Sequence, residues 1–284
     1  MIPVAFDYAR PKTVDEAIAA LQAGGEDAKI MGGGQSLMPV LRLRMAAPSV
    51  VVDTTRIDEM KGITDTGDAI TIGAGETHHA VMNHPLVKQH VPLLAQATAT
   101  VADPQIRHRG TVGGALAHAD PAGDLPAVAA ALDAQFTIAG PGGRRTVGAA
   151  EFFQDYFTTA VGPDEVLVSM SFPKMGAGWG THYEKFNRTA QAWAIVGVAA
   201  AVKTEGGKIT EARIGLTNMG ATPIRAKAVE AALVGAASIA DIEAAASHAA
   251  DGTSATSDIH ADAEYREHLA RVLTKRAVAT AANI

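Results

Sequence analysis

The sequence predicts an α+β protein built as two domains. Short β-branched runs alternate with helical stretches as far as Phe172, and two glycine-rich turns, Gly32 to Ser36 and Arg109 to Gly114, interrupt them. Beyond a Gly- and Pro-rich linker at Pro173 to Gly180, three strand-like runs precede three helix-like ones. With 284 residues, 48% of them apolar and 19% charged, the chain is long enough for one large domain or two modest ones. The linker places the division at 1–175 and 176–284, with subdomains of about 1–53 and 54–175 in the first part.

The opening segment reads as a short βαβ unit. Thr13 is placed to cap a helix whose apolar residues recur at Val14, Ala17, Ile18 and Leu21, and Gly24-Gly25 ends it. Ala28 to Met31 is a short buried strand, and Gly32-Gly33-Gly34-Gln35 turns out of it into a helix over 37–45. Ser36 suits that helix's N-cap, and Pro39 falls in its first turn, where its missing donor costs little. Val50 to Asp53 is rich in β-branched residues and reads as the next strand.

Ala69 to Gly75 alternates as a strand does, and helical stretches follow at Thr77 to Met82 and Pro92 to Thr100. The Gly- and Asp-rich stretch Arg107 to Asp124 leads into an apolar helix, Leu125 to Leu132. Gln135 to Ala139 and Glu165 to Phe172 read as later strands. In the second domain His182 to Arg188, Ile195 to Lys203 and Ile209 to Leu216 read as antiparallel strands, the last two joined by a Glu205-Gly206-Gly207 turn. Helices are expected at Pro223 to Val234, Ile239 to Ala250 and Tyr265 to Ala282.

Composition excludes several function classes. The chain has no cysteine, which removes disulfides, thiolate zinc sites, cysteine nucleophiles and iron–sulfur clusters held by its own thiolates. Any redox chemistry then needs a bound organic cofactor. Twenty-four basic against thirty acidic side chains, with no dense basic run, are the reverse of a nucleic-acid footprint. No window is long and apolar enough for a membrane span, and Met1 to Asp7 lacks the basic-then-apolar pattern of a signal peptide. His78, His79 and His84 show no metal-binding spacing, and Ser36 lies in Gly-Gly-Gly-Gln-Ser rather than in a hydrolase nucleophile elbow. Neither a metal site nor a catalytic acid, base or nucleophile is expected.

The strand–Gly32-Gly33-Gly34-Gln35-Ser36–helix arrangement gathers backbone N–H groups at a helix N-terminus, where a pyrophosphate can sit. By itself it reads equally as a tight turn. Arg109-Gly110-Thr111-Val112-Gly113-Gly114 adds two adjacent glycines for close backbone approach and a hydroxyl for a phosphate oxygen. Asp124, ten residues after Gly114, reads on its own as an N-cap for the helix at Leu125, with a cofactor contact as the alternative. Trp193 reads as core or interface packing, or as a ring laid against a cofactor.

The two glycine motifs, with Gln105-Ile106-Arg107-His108 before the second, Asp120-Pro121-Ala122-Gly123-Asp124-Leu125 after it and Tyr183-Glu184-Lys185-Phe186 in the second domain, carry a resemblance. Over nearly its whole length the chain resembles the FAD-binding medium subunits of the molybdenum hydroxylases, and within them those of aerobic carbon monoxide dehydrogenase. The resemblance implies the FAD-binding fold shared with vanillyl-alcohol oxidase, followed by a small domain of three antiparallel strands and helices. It places the FAD against Gly32, Gly33, Gly34, Gln35, Ser36 and Leu37 of the first motif and Gly110, Thr111, Gly113, Gly114 and Ala115 of the second. Thr111 to Ala115 would share the diphosphate with Gly32 to Ser36.

Ala102, His118, Asp124, Leu167, Lys185 and Trp193 complete the implied contacts, with Leu167 near the adenine and Lys185 reaching the flavin from the second domain. A solvated surface lysine is the other reading of Lys185. Two positions depart from the family pattern. Ala115 stands where Asn is usual, which removes a hydrogen bond of about 0.5–1.5 kcal/mol, and Ala192 stands where an acidic residue is common.

The implied activity is electron transfer. A molybdenum cofactor on a large subunit would oxidise the substrate, two [2Fe–2S] clusters on a small subunit would relay electrons, and the FAD here would pass them to a quinone or another acceptor, the cofactor carrying the chemistry. A dimer of heterotrimers in the cytoplasm, with peripheral membrane association through the complex as a second reading, is the implied assembly. Carbon monoxide is the first substrate choice, with aldehydes, purines and N-heterocycles as alternatives. A stand-alone flavin reductase or oxidase is the rival of another class, and a subunit that keeps the fold for assembly alone is a third reading.

Overall fold

The computed structural model describes residues 1–284. The first unit is a three-stranded parallel sheet with two helices. Strand β1 (Asp7–Ala9), helix α1 (Val14–Gly24), β2 (Lys29–Met31), α2 (Leu37–Arg42) and β3 (Val50–Asp53) follow one another, and β3 lies between β1 and β2. The Thr13 hydroxyl caps α1 by accepting from Glu16 N–H, while Val14, Ala17, Ile18 and Leu21 form its buried face. Helix α2 stops three residues before the expected Met45. Arg44 adopts a left-handed conformation, φ 58°, Met45 N–H donates to Val40 and Arg44 N–H to Leu41, which closes the last turn.

The second unit is an antiparallel sheet with small helices around it. Its elements are β4 (Ile63–Asp65), β5 (Ala69–Gly73), α3 (His78–Asn83), α4 (Pro85–His90), α5 (Pro92–Ala99), α6 (Pro104–Arg107), α7 (Val112–His118), α8 (Asp124–Ala131), β6 (Gln135–Gly140), β7 (Gly143–Gly148), α9 (Ala149–Phe152), β8 (Phe153–Asp155), β9 (Thr158–Thr159) and β10 (Val166–Pro173). The strand order is β4-β5-β10-β6-β7, so β10 returns from far along the chain to fill the centre. That position explains its apolar composition: Val166, Leu167, Val168, Met170 and Phe172 are all buried. Phe136 and Phe152 stack with centroids 3.8 Å apart, and Phe153 meets both edge-on.

The third unit opens with β11 (Trp179–Phe186), β12 (Val196–Glu205), β13 (Lys208–Thr217) and β14 (Ile224–Arg225), and closes with α10 (Lys227–Leu233), α11 (Ile239–Ala246) and α12 (Ala263–Ala282). Four antiparallel strands stand in sequence order, one more than expected, because Ile224 and Arg225 pair with β13 instead of starting a helix at Pro223. Strand β11 begins at Trp179, inside the stretch read as linker, because its full length pairs with β12. Helix α12 lies across β11 and β12; a Cβ on Gly180 would come 1.9 Å from the Ala281 carbonyl oxygen, so only glycine permits that approach.

Helix α8 joins the second unit to the third. Every residue of it but Ala130 is buried, and a Cβ on Gly215 of β13 would stand 2.2 Å from the Ala127 carbonyl oxygen. Small residues on both sides let the helix backbone rest on the sheet. Asp124, its first residue, is thereby held at the junction.

Candidate functional site

Strand β2 delivers Gly32-Gly33-Gly34 against the second glycine motif. A Cβ on Gly33 would lie 2.1 Å from the Arg109 carbonyl oxygen and 2.5 Å from Gly110 Cα, and one on Gly32 would lie 2.9 Å from Thr111 Oγ1. These two glycines are therefore required by the contact between the loops, where the sequence suggested room for a ligand. Gly34 is required by its own backbone, φ +73°. Behind the second loop, a Cβ on Gly113 would collide with Ala74 at 2.4 Å, and the buried His78 ring lies against Gly110.

The backbone donors of the two loops differ. None of the N–H groups from Gly32 to Leu37 donates a hydrogen bond within the chain, nor does the Ser36 hydroxyl cap α2 as expected. The Gln35 side chain instead reaches back to the Gly33 carbonyl, 3.1 Å. At the start of α7, by contrast, Val112 donates to Glu76, Gly113 to Ala74, Gly114 to Thr111 Oγ1 and Ala115 to the Thr111 carbonyl. Of the Thr111 to Ala115 donors only the Thr111 N–H is without a partner in the chain. The open donors are thus unevenly divided between the motifs expected to share a diphosphate: six lie in the first loop and one in the second, where the Thr111 hydroxyl also serves as the helix cap. Half-exposed consecutive N–H groups at a helix start suit an anion.

A cavity of about 570 Å³ opens between α5, α6 and the edge strand β11, lined in part by Thr100, Ala102, Arg107, Tyr183 and Lys185. Ala102 sits in a left-handed turn, φ 44°, which Arg107 fixes by donating from Nη1 to the Val101 and Ala102 carbonyls at 2.8 and 3.0 Å. On its inner wall Lys185 Nζ donates to Asp124 Oδ2 at 2.8 Å and to the Thr100 carbonyl at 3.2 Å, while the Tyr183 hydroxyl donates to Asp124 Oδ1 at 2.7 Å. Tyr183 and Lys185 are two apart on β11 and so share a face.

Asp124 therefore does not cap α8. Gly123 takes that position, and both carboxylate oxygens are held by strand β11 of the third unit. Burial pushes the Asp124 carboxyl up, and the Lys185 charge and the two donors oppose that push. Lys185 is not a solvated surface charge, its side chain being 6% exposed. Burial beside Asp124 likewise raises the Tyr183 hydroxyl well above its ordinary value.

Residues 4–175 match the family described as the FAD binding domain in molybdopterin dehydrogenase, and residues 181–281 match the CO dehydrogenase flavoprotein C-terminal domain. The chain belongs to this FAD-binding family. It is 39% identical to the carbon monoxide dehydrogenase medium chain of Hydrogenophaga pseudoflava, covering 98% of this chain and 97% of that one. It is 38% identical to the 6-hydroxypseudooxynicotine dehydrogenase complex subunit alpha of Paenarthrobacter nicotinovorans, covering 99% and 96%. A solved carbon monoxide dehydrogenase from Hydrogenophaga pseudoflava superposes with a TM-score of 0.96 at 42% identity, over 99% of this chain and 98% of that chain. The protein is thus the FAD subunit of a molybdenum hydroxylase, an oxidoreductase.

The remaining anticipated positions of this FAD subunit are spread over α2, α7, β10 and the loop between β11 and β12. Leu37 opens α2, and Ala115 is half-buried in α7. His118 ends α7 with Nε2 4.0 Å from Asp120 Oδ2 and its ring 5.2 Å from Phe157. Leu167 is 5% exposed in β10, at the bulge between Leu167 and Ser169, and belongs to the core. Trp193 is 54% exposed in the loop between β11 and β12, which rules out the core reading.

Tyr183, Thr100 and Arg107 were not anticipated as site residues. Tyr183 had a legible signal, because it is two residues before Lys185 in a strand pattern; Thr100 acts through its carbonyl and had none. No group of three His, Asp or Glu side chains stands close enough to hold a metal ion. No helix of the FAD subunit is long and apolar enough to cross a membrane.

Proposed function

We propose that this subunit holds FAD with the diphosphate on the open N–H run Gly32 to Leu37, completed by the Thr111 N–H, and the flavin end toward the cavity bounded by Ala102, Lys185 and, from the Trp193 loop, Asn187 and Ala190. The observation that carries the reading is the run itself: six consecutive backbone donors with no partner in the chain, in a loop pinned in place by the second motif. Bound FAD supplies one- and two-electron redox chemistry. The chain's own residues bind and orient: the first loop offers hydrogen bonds to an anion, and Lys185 brings a positive charge to the cavity wall with Asp124 as its partner.

The proposed role is to take electrons from [2Fe–2S] clusters on a small partner subunit, with substrate oxidised at a molybdenum cofactor on a large one, and to deliver them to a quinone or other acceptor. A dimer of heterotrimers in the cytoplasm is the proposed assembly. The chain divides into units of 1–53, 54–175 and 176–284, a reading supported by the separate three-, five- and four-stranded sheets, one in each unit. Carbon monoxide is the proposed substrate, on the strength of the relatives named above; an N-heterocycle is the second reading, favoured by the 38% identity to a 6-hydroxypseudooxynicotine dehydrogenase subunit.

The test is to purify the chain with its partner subunits, count flavin per chain, and follow dye reduction with carbon monoxide, an aldehyde, a purine and an N-heterocycle in turn. Stoichiometric flavin and reduction by carbon monoxide are expected. Flavin-free chain inside an intact complex overturns the FAD reading, and reduction by another substrate alone overturns carbon monoxide. Rapid NADH oxidation by the isolated FAD-loaded chain would instead favour a stand-alone reductase.

A further inference from the structure

We propose that Asn218 is a positioning residue that sets the Trp193 loop against the cofactor site by tying it to the turn that precedes Asp124. The proposal rests on the FAD reading above. Asn218 follows the last residue of β13, and its backbone N–H donates to the Pro121 carbonyl at 2.8 Å. Its side-chain amide donates in another direction, from Nδ2 to the Ala194 carbonyl at 2.8 Å and the Ile195 carbonyl at 3.3 Å. One residue thus joins the Asp120–Gly123 turn of the second unit to the two residues after Trp193.

The local conformation fits that task. Asn218 is left-handed, φ 63°, a state that asparagine adopts more readily than other residues with a side chain, glycine being freer still. An aspartate there would turn an acceptor toward two carbonyl oxygens, so the amide donor is specifically needed. The other ends of the loop are also held. Ile195 N–H donates to Phe186, Gln191 Nε2 donates to Asp103 Oδ2, and the buried Arg266 donates from Nη1 to the Ile195 carbonyl. Arg266 is itself anchored by Asp258 at 2.7 Å and the Thr256 carbonyl at 2.9 Å. Trp193 therefore projects from a loop tethered on both sides, although its own ring is mostly exposed.

Asn218→Gly removes the amide and keeps the backbone bond to Pro121 in a conformation that glycine favours. The FAD-loaded chain is compared with Asn218→Gly, Trp193→Ala and the double variant, by flavin reduction potential, visible spectrum and tryptic cleavage after Arg188, which lies in the same loop. Asn218→Gly should retain FAD, shift the potential and spectrum in the same direction as Trp193→Ala, and be cut after Arg188 several-fold faster. In the Trp193→Ala background it should add no further optical or redox shift, because its effect travels through Trp193.

A parent-like potential and spectrum in Asn218→Gly beside a changed Trp193→Ala overturns the proposal. So does a shift that persists in full without Trp193, which is what a general loosening of the fold would give, and so does a Trp193→Ala variant identical to the parent. Failure of the parent chain to take up FAD inside its intact complex overturns the FAD reading instead, and is read before any variant. Should Asn218→Gly fail to fold, Asn218→Asp keeps the size and removes the donor, and the same spectral and proteolytic changes are expected of it.

Discussion

Lys185 on strand β11 and Asp124 at the first position of helix α8 form an ion pair 2.8 Å long, with side chains 6% and 3% exposed. The pair connects the third unit to the second beside the proposed flavin end. Removing one member leaves the other's charge buried, which costs about 3–5 kcal/mol, whereas removing both is far milder. Lys185→Met should therefore destabilise the chain by about that amount, and Asp124→Asn with Lys185→Met by less than Lys185→Met alone. Urea unfolding of the variants checks this; losses that simply add would show that the two charges do not depend on each other.

Ser36 has a hydroxyl that caps nothing, in the loop of unpartnered donors. Ser36→Asp should leave folding within about 0.5 kcal/mol of the parent, as surface changes do, while setting a carboxylate against the proposed diphosphate. Two unit charges 4 Å apart repel by about 1 kcal/mol in water and about 4 at an effective dielectric of 20. FAD affinity should fall between about fivefold and about a thousandfold. A flavin titration with unchanged affinity would count against the Gly32–Leu37 assignment.

Gly33→Ala should behave differently. Its Cβ would meet backbone at 2.1 Å, which cannot give way as a flexible side chain could. The two glycine loops must separate, so stability should fall by about 1–3 kcal/mol as in other overpacked sites, and FAD binding should weaken with it. Thermal unfolding of the apoprotein distinguishes this variant from Ser36→Asp, which loses the cofactor alone.

His78 links the second loop to pH. Its backbone N–H donates to the Gly110 carbonyl at 2.9 Å, its ring is buried behind Gly110, and its Nδ1 has no partner. Burial first, and the Arg107 charge second, lower the imidazole from 6.5 to about 4. Between those values the unfolded chain binds a proton that the folded chain does not. The stabilisation is thus complete above pH 6.5 and is lost as pH falls toward 4. Since one pKa unit corresponds to about 1.36 kcal/mol, the loss should approach about 3 kcal/mol. In His78→Phe the dependence of unfolding free energy on pH over this interval should be flatter; an unchanged slope would assign it to other groups.

The sequence by itself determined the α+β class, the helix capped by Thr13, the two glycine turns and the absence of thiolate chemistry, because each rests on local pattern or composition. Strands such as Gly143–Gly148 and Ile63–Asp65 escaped the reading because they lie at sheet edges. Their residues, Gly143-Arg144-Arg145 among them, carry little apolar alternation, and pairing with an inner neighbour makes them strands.

The site divides in the same way. Which segments matter was legible from glycine spacing and from the Tyr183-Glu184-Lys185-Phe186 run, but what each atom does was decided by distant partners. A local rule makes Asp124 a helix cap, yet Tyr183 and Lys185 occupy both of its oxygens. A local rule also makes Val112 to Gly114 anion donors, yet Ala74, Glu76 and the Thr111 hydroxyl accept their hydrogens, while Gly32 to Leu37 meet no acceptor. A hydrogen bond depends on where the acceptor stands in space, and only the folded chain brings residues 74 and 76 to the start of one loop and leaves the other open.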